Sequence, residues 1–312
     1  MISCSQSSEE IDRPMRLESI EWPRVHDTHP IAILDGIDKA QLHEWLDHDS
    51  KKLFAIPFEC EARTQEGQNS VKSKLLKAVF GLTRSLNTMV AAPKPDGESN
   101  QDPNLPLTFL IYGLEEHSYN KLLSNTIWSS EAITFRVVSL DFPRPDFLFT
   151  IKGFSTLDVG AIYKMVHKVW HDEQTGRYFQ ELIDGAPDVE KAHTKQVLQN
   201  FVESMRTERL NIKVSGGLLS PKFNVLADCS TIPSDDLWSR LSDYFAARTY
   251  NLPLQGDGTV QTRPYRCGLC HGVDHPSGLC PFPNVKGWKG PRQLPMRRQG
   301  GGRPPTRSFR PY

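Results

Sequence analysis

Long apolar runs are missing from these 312 residues. None approaches the roughly 20 residues a helix needs to cross a bilayer, so no membrane partner is expected. Residues 1–10 carry neither a cationic head nor an apolar segment, which predicts an intracellular protein, cytoplasmic or nuclear. Cysteine is sparse: of six, Cys4, Cys60 and Cys229 are scattered. A disulfide framework is therefore not expected, and reduced thiols suit the intracellular reading. Catalytic signatures are absent too. There is no phosphate loop ending in Gly-Lys-Ser/Thr, no Gly-x-Ser-x-Gly elbow and no His-Glu-x-x-His helix, so no enzyme is expected. His167 and His171 lie four apart, but Lys168 stands where a metalloprotease needs Glu, and they read as ordinary helix-face histidines. Acid, finally, is missing from the end of the chain. The 37 basic and 37 acidic residues balance, yet eight basic and no acidic residues follow Cys280: Lys286, Lys289, Arg292, Arg297, Arg298, Arg303, Arg307 and Arg310. The rest is acidic by the same margin. A cationic end predicts a polyanionic partner.

What the sequence does contain is Cys267-Gly-Leu-Cys270, then His275, then Cys280. A two-residue gap lets one tight turn point both thiolates the same way, and the two four-residue gaps bring an imidazole and a third thiolate round to close a tetrahedron. Zinc favours such a closed Cys₃His set. A loop this short cannot bury a core of its own, so metal would supply most of its folding free energy. Gly272 and Gly278 allow the bends. Two other readings use the same residues. Cys267, Cys270 and His271 also spell the attachment motif of a c-type haem, which would require export. His271 could also replace His275 as ligand, although only His275 completes the knuckle spacing.

Around this loop the chain divides as follows. Residues 1–52 form a polar arm, ordered only where Trp22 or Leu17 docks, and a short helix over 38–48 capped by Asp38. Residues 53–106 hold an edge strand at 53–58 stopped by Pro57, a helix over 69–90, and a Pro-rich linker from 91. Residues 107–250 form an α+β body. Its first half reads strand 107–114, helix 115–128, strand 132–140, strand 146–154, helix 157–172: a βαββα order that suits a ferredoxin-like (RRM-like) sheet, with 177–182 as a weak fourth strand. An added αββα segment follows: helix 189–207, strands 210–215 and 223–228, and helix 234–248 capped by Ser234. Residues 251–263 read as a linker, 264–291 as the zinc knuckle with its flank, and 292–312 as a disordered Arg/Gly/Pro tail. The aromatic strand with Phe147, Phe149 and Ile151 reads as a core face rather than a base-stacking one. Trp288, between Lys286 and Lys289, could stack on bases or pack back on the knuckle.

The spacing of Cys267, Cys270, His275 and Cys280 resembles the CCHC zinc knuckles of Gag-like and other retroelement-encoded nucleocapsid proteins, and of cellular RNA-binding proteins. The run 267–288, with Phe223-Asn-Val-Leu-Ala-Asp228 upstream, looks like an uncharacterised multicopy fungal group that is retroelement-derived. The resemblance implies Zn²⁺ on the four ligands and single-stranded nucleic acid on the flanks. The sequence departs from the usual knuckle at Gly268, where an aromatic often stands, at His271, where Gly often stands, and at Asp274, which adds a negative charge. Zinc with three thiolates leaves the site at −1, so phosphates must be drawn by Arg263, Arg266, Lys286, Lys289, Arg292 and the tail arginines. Single-stranded RNA, or DNA, is the expected partner. The alternative is a protein-interaction scaffold in which the knuckle binds protein or a second copy.

Overall fold

In the computed structural model, which describes residues 22–58, 64–96, 105–214 and 216–292, the apolar run Leu53-Phe-Ala-Ile56 is the middle of a sheet, not its edge. It lies in β1 (Lys51–Pro57), between β3 (Phe109–Leu114) and β5 (Thr134–Val138). The order is completed by β2 (Met89–Ala91) outside β3 and β4 (Ile127–Ser129) outside β5, all antiparallel. A strand buried on both faces has no polar side to alternate, which is why it reads as an unbroken apolar run. Pro57 is tolerated as its last residue.

The two faces of β1 meet different partners. Leu53 and Ala55 pack with Leu75 and Val79 of α2 (Gln65–Thr83) and Leu122 of α3 (Glu116–Leu123). Phe54 and Ile56 pack with Trp45 of α1 (Lys39–Asp47) and with Ile33 and Leu34. The Asp38 cap is present, its carboxylate accepting the Gln41 N–H at 3.1 Å. The helix expected over 69–90 starts earlier, on a Thr64 cap, and stops at Arg84, whose φ of 61° puts it in the left-handed region. Leu86 is therefore exposed and Val90 is buried in β2. Helical spacing continues across the break, and no Gly or Pro marks it. Likewise α3 ends at Leu123, and Trp128 belongs to β4.

The second sheet has the order β7 (Arg206–Lys213), β8 (Leu219–Leu226), β6 (Phe147–Lys152), β10 (Gly256–Val260), β9 (Tyr250–Leu252). Phe149, Ile151, Phe223 and Val225 share one core with α4 (Val159–Trp170), α6 (Lys191–Glu203) and α7 (Asp235–Ala246). The inward reading of the aromatic strand holds for Phe149 and Ile151, while Phe147, beyond a register shift, is buried elsewhere, against Leu226 and Val273. Ser234 caps α7 as expected, accepting the Leu237 N–H at 3.2 Å.

Three further expectations are corrected. Because β3 and β5 lie in one sheet and β6 in the other, residues 107–172 do not form a single ferredoxin-like sheet. Hydrophobic order along the chain does not say which strand pairs with which. Residues 177–182 lie within α5 (Glu173–Asp184), not in a fourth strand. The expected linker 251–263 supplies β10, paired with β6, and part of β9. The first sheet also draws strands from both sides of residue 106. No described helix is long and apolar enough to cross a membrane. The arm before Trp22, with Leu17, and the tail from residue 293 lie outside the described residues.

Candidate metal centre

The loop from Cys267 to Cys280 is closed by its own backbone. Cys267 donates its N–H to Gly272 O at 2.8 Å, and His271 donates to Cys267 O at 2.9 Å. The turn is made by His271, at φ 63°, in the region where Gly is most at ease. Gly272 sits in a tight place: a Cβ there would lie 3.2 Å from Cys270 Sγ and 3.0 Å from Asp274 Oδ1, so those side chains would have to give by a few tenths of an ångström. Its N–H points at Cys270 Sγ, 3.3 Å away. A short 3₁₀ turn, Ser277–Leu279, then delivers Cys280, and Ser277 Oγ accepts the Gly268 N–H at 2.7 Å.

These turns bring together Cys267, Cys270, His275 and Cys280, whose donor atoms all lie within 4.8 Å of one another. All four are buried, at 0, 2, 3 and 1 % exposure. A zinc tetrahedron with ordinary bond lengths has edges of about 3.6–3.8 Å, and Cys270 Sγ sits 3.4 Å from His275 Nε2. The donor set fits a metal ion, and its four side chains would close the coordination sphere. His271 takes no part, since its Nε2 lies 3.1 Å from Pro57 O at the end of β1. Of the two histidines it is His275 that the fold groups with the three cysteines. The same contact takes His271 away from the role a haem attachment motif requires.

Asp274 orients the ligand imidazole. Its Oδ2 lies 2.8 Å from His275 Nδ1, which places the proton on Nδ1 and leaves Nε2 for the sulfurs. Burial alone would lower the His275 pKa, but the Asp274 carboxylate and the Cys267 and Cys280 sulfurs outweigh it and push the imidazole up to about 11. Hydrogen bonds from Cys270 and Cys280 hold the Cys267 thiol well below the usual range, while Cys270 is pushed up by its hydrogen bonds to Cys267 and Cys280 and by burial. Such a cluster calls for a cation in its midst. The sequence does carry a signal for Asp274, an acid immediately before His275, and its added charge is the lesser part of what it does.

The loop is not a free appendage. Cys267, Leu269, Cys270, Cys280 and Phe282 pack with Phe58 beyond β1 and Ile127 of β4, and Trp22, Val25 and Trp288 lie against them. On the other side Val273 packs with Phe147 and Leu226 of the second sheet. Asn224 Nδ2 donates to Asp274 O at 2.9 Å, and His26 O accepts the Val273 N–H at 3.0 Å. The loop thus touches both sheets and residues 22–27.

Trp288 packs back. Its ring is 5.2 Å from Phe58, 5.4 Å from Phe282 and 5.9 Å from Trp22, and its indole N–H donates to Pro291 O at 3.0 Å. Lys286, Arg263 and Arg292 are exposed, and Arg266 is half-buried. Lys289 Nζ lies 3.6 Å from Glu131. Arg297, Arg298, Arg303, Arg307 and Arg310 lie outside the described residues. His167 and His171 stack at 3.9 Å and, among the described residues, join no cluster of three or more candidate metal ligands. No protein-family description matches the chain, and no curated protein or solved structure matches it either.

Proposed function

We propose that Cys267, Cys270, His275 and Cys280 hold one zinc ion as a structural centre, and that the protein binds single-stranded nucleic acid, RNA in preference to DNA. The observation that carries the zinc reading is the buried cluster of three sulfurs and one imidazole, a soft closed set that suits zinc. With no position open for a substrate, the reading involves no catalytic step. The nucleic-acid reading is supported by the knuckle spacing, with its Gag-like resemblance, and by eight cations after Cys280 with no acid among them. Zinc would supply folding free energy, and phosphate attraction would come from Arg263, Arg266, Lys286, Lys289, Arg292 and the tail. A knuckle serving chiefly to bind another protein fits less well, since its apolar side is already covered by Phe58 and Ile127 of the same chain.

Two measurements test this. Elemental analysis should find one zinc per chain, lost when Cys270→Ser and His275→Ala are combined. Titration of the zinc-loaded protein with a single-stranded 20-mer should give log affinity falling against log salt with a slope of about −3 to −4, as for four to six phosphates neutralised. Absence of salt-sensitive binding to any single strand would transfer the search to a protein partner or a second copy.

A further inference from the structure

We propose that the Lys152 and Lys222 end of the helix-free face of the second sheet, beside the metal loop, is the track that holds the phosphates of a single strand. This rests on the nucleic-acid reading and assigns it a surface that the knuckle motif does not contain.

Among the described residues, helices cover one side of this sheet, the side bearing Ile151, Phe223 and Val225. Alternation along the strands turns Thr150, Lys152, Lys222 and Asn224 to the other side, where Thr150 and Asn224 are buried, Asn224 against the metal loop, while Lys152 is exposed and Lys222 half-buried. Lys152 and Lys222 stand directly opposite each other on β6 and β8. Like charges so placed repel and destabilise a strand pair unless an anion lies between them. Among the described residues none stands in register: Thr259 is opposite Lys152 on its other side, and Leu210 opposite Lys222. The nearest acids on this face stand one same-face position further along on either side, Glu208 opposite Asn224 and Asp257 two residues from Thr259, and Asp257 already accepts from Asn251 Nδ2. Lys222 Nζ is instead held by Gln261 Oε1 at 2.9 Å and lies 5.0 Å from the centre of the Tyr265 ring.

The two lysines continue into the neighbouring loop. Gln261 Nε2 donates to Arg263 O at 2.6 Å, and Arg263 is exposed. At the other end Asn224, which accepts the Thr150 hydroxyl at 2.8 Å, donates to Asp274 O in the metal loop. Lys152, Lys222, Arg263 and the Tyr265 ring thus form a cationic strip with one aromatic, bordered by the metal centre. That combination suits single strands, whose backbone follows cations while a base rests on an aromatic.

The test uses the full-length, zinc-loaded protein and a fluorescent 20-nucleotide oligouridylate. Combining Lys152→Gln with Lys222→Gln should flatten the salt slope by about 1.4 and weaken binding about 25-fold at 0.1 M salt, the change expected for two phosphate contacts. Lys164→Gln with Lys168→Gln, on the helix-covered side, removes the same charge and should change little. If wild type binds and both pairs behave alike, the track is wrong while the nucleic-acid reading stands. If wild type binds no single strand, both fall together. Cross-linking to a 4-thiouridine oligomer reads the surface without substitution. A cross-linked peptide containing Tyr265 supports the track, and cross-links confined to other faces overturn it.

Discussion

Asp274 shows how one side chain outside the ligand set governs the centre. By holding His275 Nδ1 at 2.8 Å it fixes both tautomer and ring direction. Partners of this kind typically contribute 10- to 100-fold to metal affinity. Asp274→Ala should therefore weaken zinc binding by about 10- to 100-fold, measured by competition with a chromophoric chelator, while one zinc still binds at saturation. Unchanged affinity would mean that packing alone orients the ring. His271→Gly is the contrasting case: it removes the contact to Pro57 but suits the φ of 63°, and zinc affinity should stay the same. At this scale the sequence was legible because ligand spacing is local. Four residues within one short loop can meet whatever the rest of the chain does, and His271 stands in a left-handed turn where Gly often stands.

Elements were legible where the signal is local and lost where it is not. The Asp38 and Ser234 caps announce α1 and α7 because each side chain satisfies a backbone N–H three residues on. Strand β10 has no such signal: Gly256-Asp-Gly-Thr-Val260 is held by backbone pairing to β6 and β9, which composition does not encode. The central place of β1 is lost for the same reason, whereas the strand reading of residues 177–182 overlooks a local signal, the Asp172 cap of α5, whose carboxylate accepts the Thr175 N–H at 2.8 Å. Two glycines test these assignments with opposite signs. A Cβ at Gly258 would meet the Phe154 ring and lie 2.8 Å from Ile151 Cγ2, so Gly258→Ala should destabilise by about 1–3 kcal/mol. Gly176 lies inside α5 with nothing within 4 Å of an added Cβ, and Gly176→Ala should stabilise by about 0.5–1 kcal/mol. Urea unfolding of the zinc-saturated protein reads both. A neutral Gly258→Ala would mean that β10 does not lie against β6, and a destabilising Gly176→Ala that α5 is not helical there.

At the scale of the whole molecule, the metal loop joins parts that are far apart in sequence. The sequence alone suggested a knuckle on a linker, which could melt and leave the body untouched. The structure places Phe58 and Ile127 of the first sheet, Phe147 and Leu226 of the second, and the segment around Trp22 and Val25 against that loop. The segment is also held by ion pairs, Arg24 with Asp146 and Arg136 with Asp27, the latter at 2.6 Å. A ligand that binds only the folded state stabilises it by about 4 kcal/mol at a thousandfold excess over its dissociation constant. Stripping zinc with a strong chelator should therefore loosen the joint, while the separate helix-covered cores around Leu75 and Phe109 and around Trp170 and Phe245 stay closed. In hydrogen exchange, peptides covering Trp22 to Asp27, Phe58 and Ile127 should lose protection, and those covering Phe201 and Phe245 should keep it. Cysteine alkylation gives an independent reading. Cys267, Cys270 and Cys280 should become reactive on chelation. Cys229, fully buried and with its thiol pushed up to about 12 chiefly by burial, should stay unreactive until denaturant is added. If Cys229 reacts with the others, metal loss unfolds the second core as well. If protection at Phe58 and Ile127 does not change, the loop folds and unfolds on its own, and its contacts with the two sheets contribute nothing to holding them together.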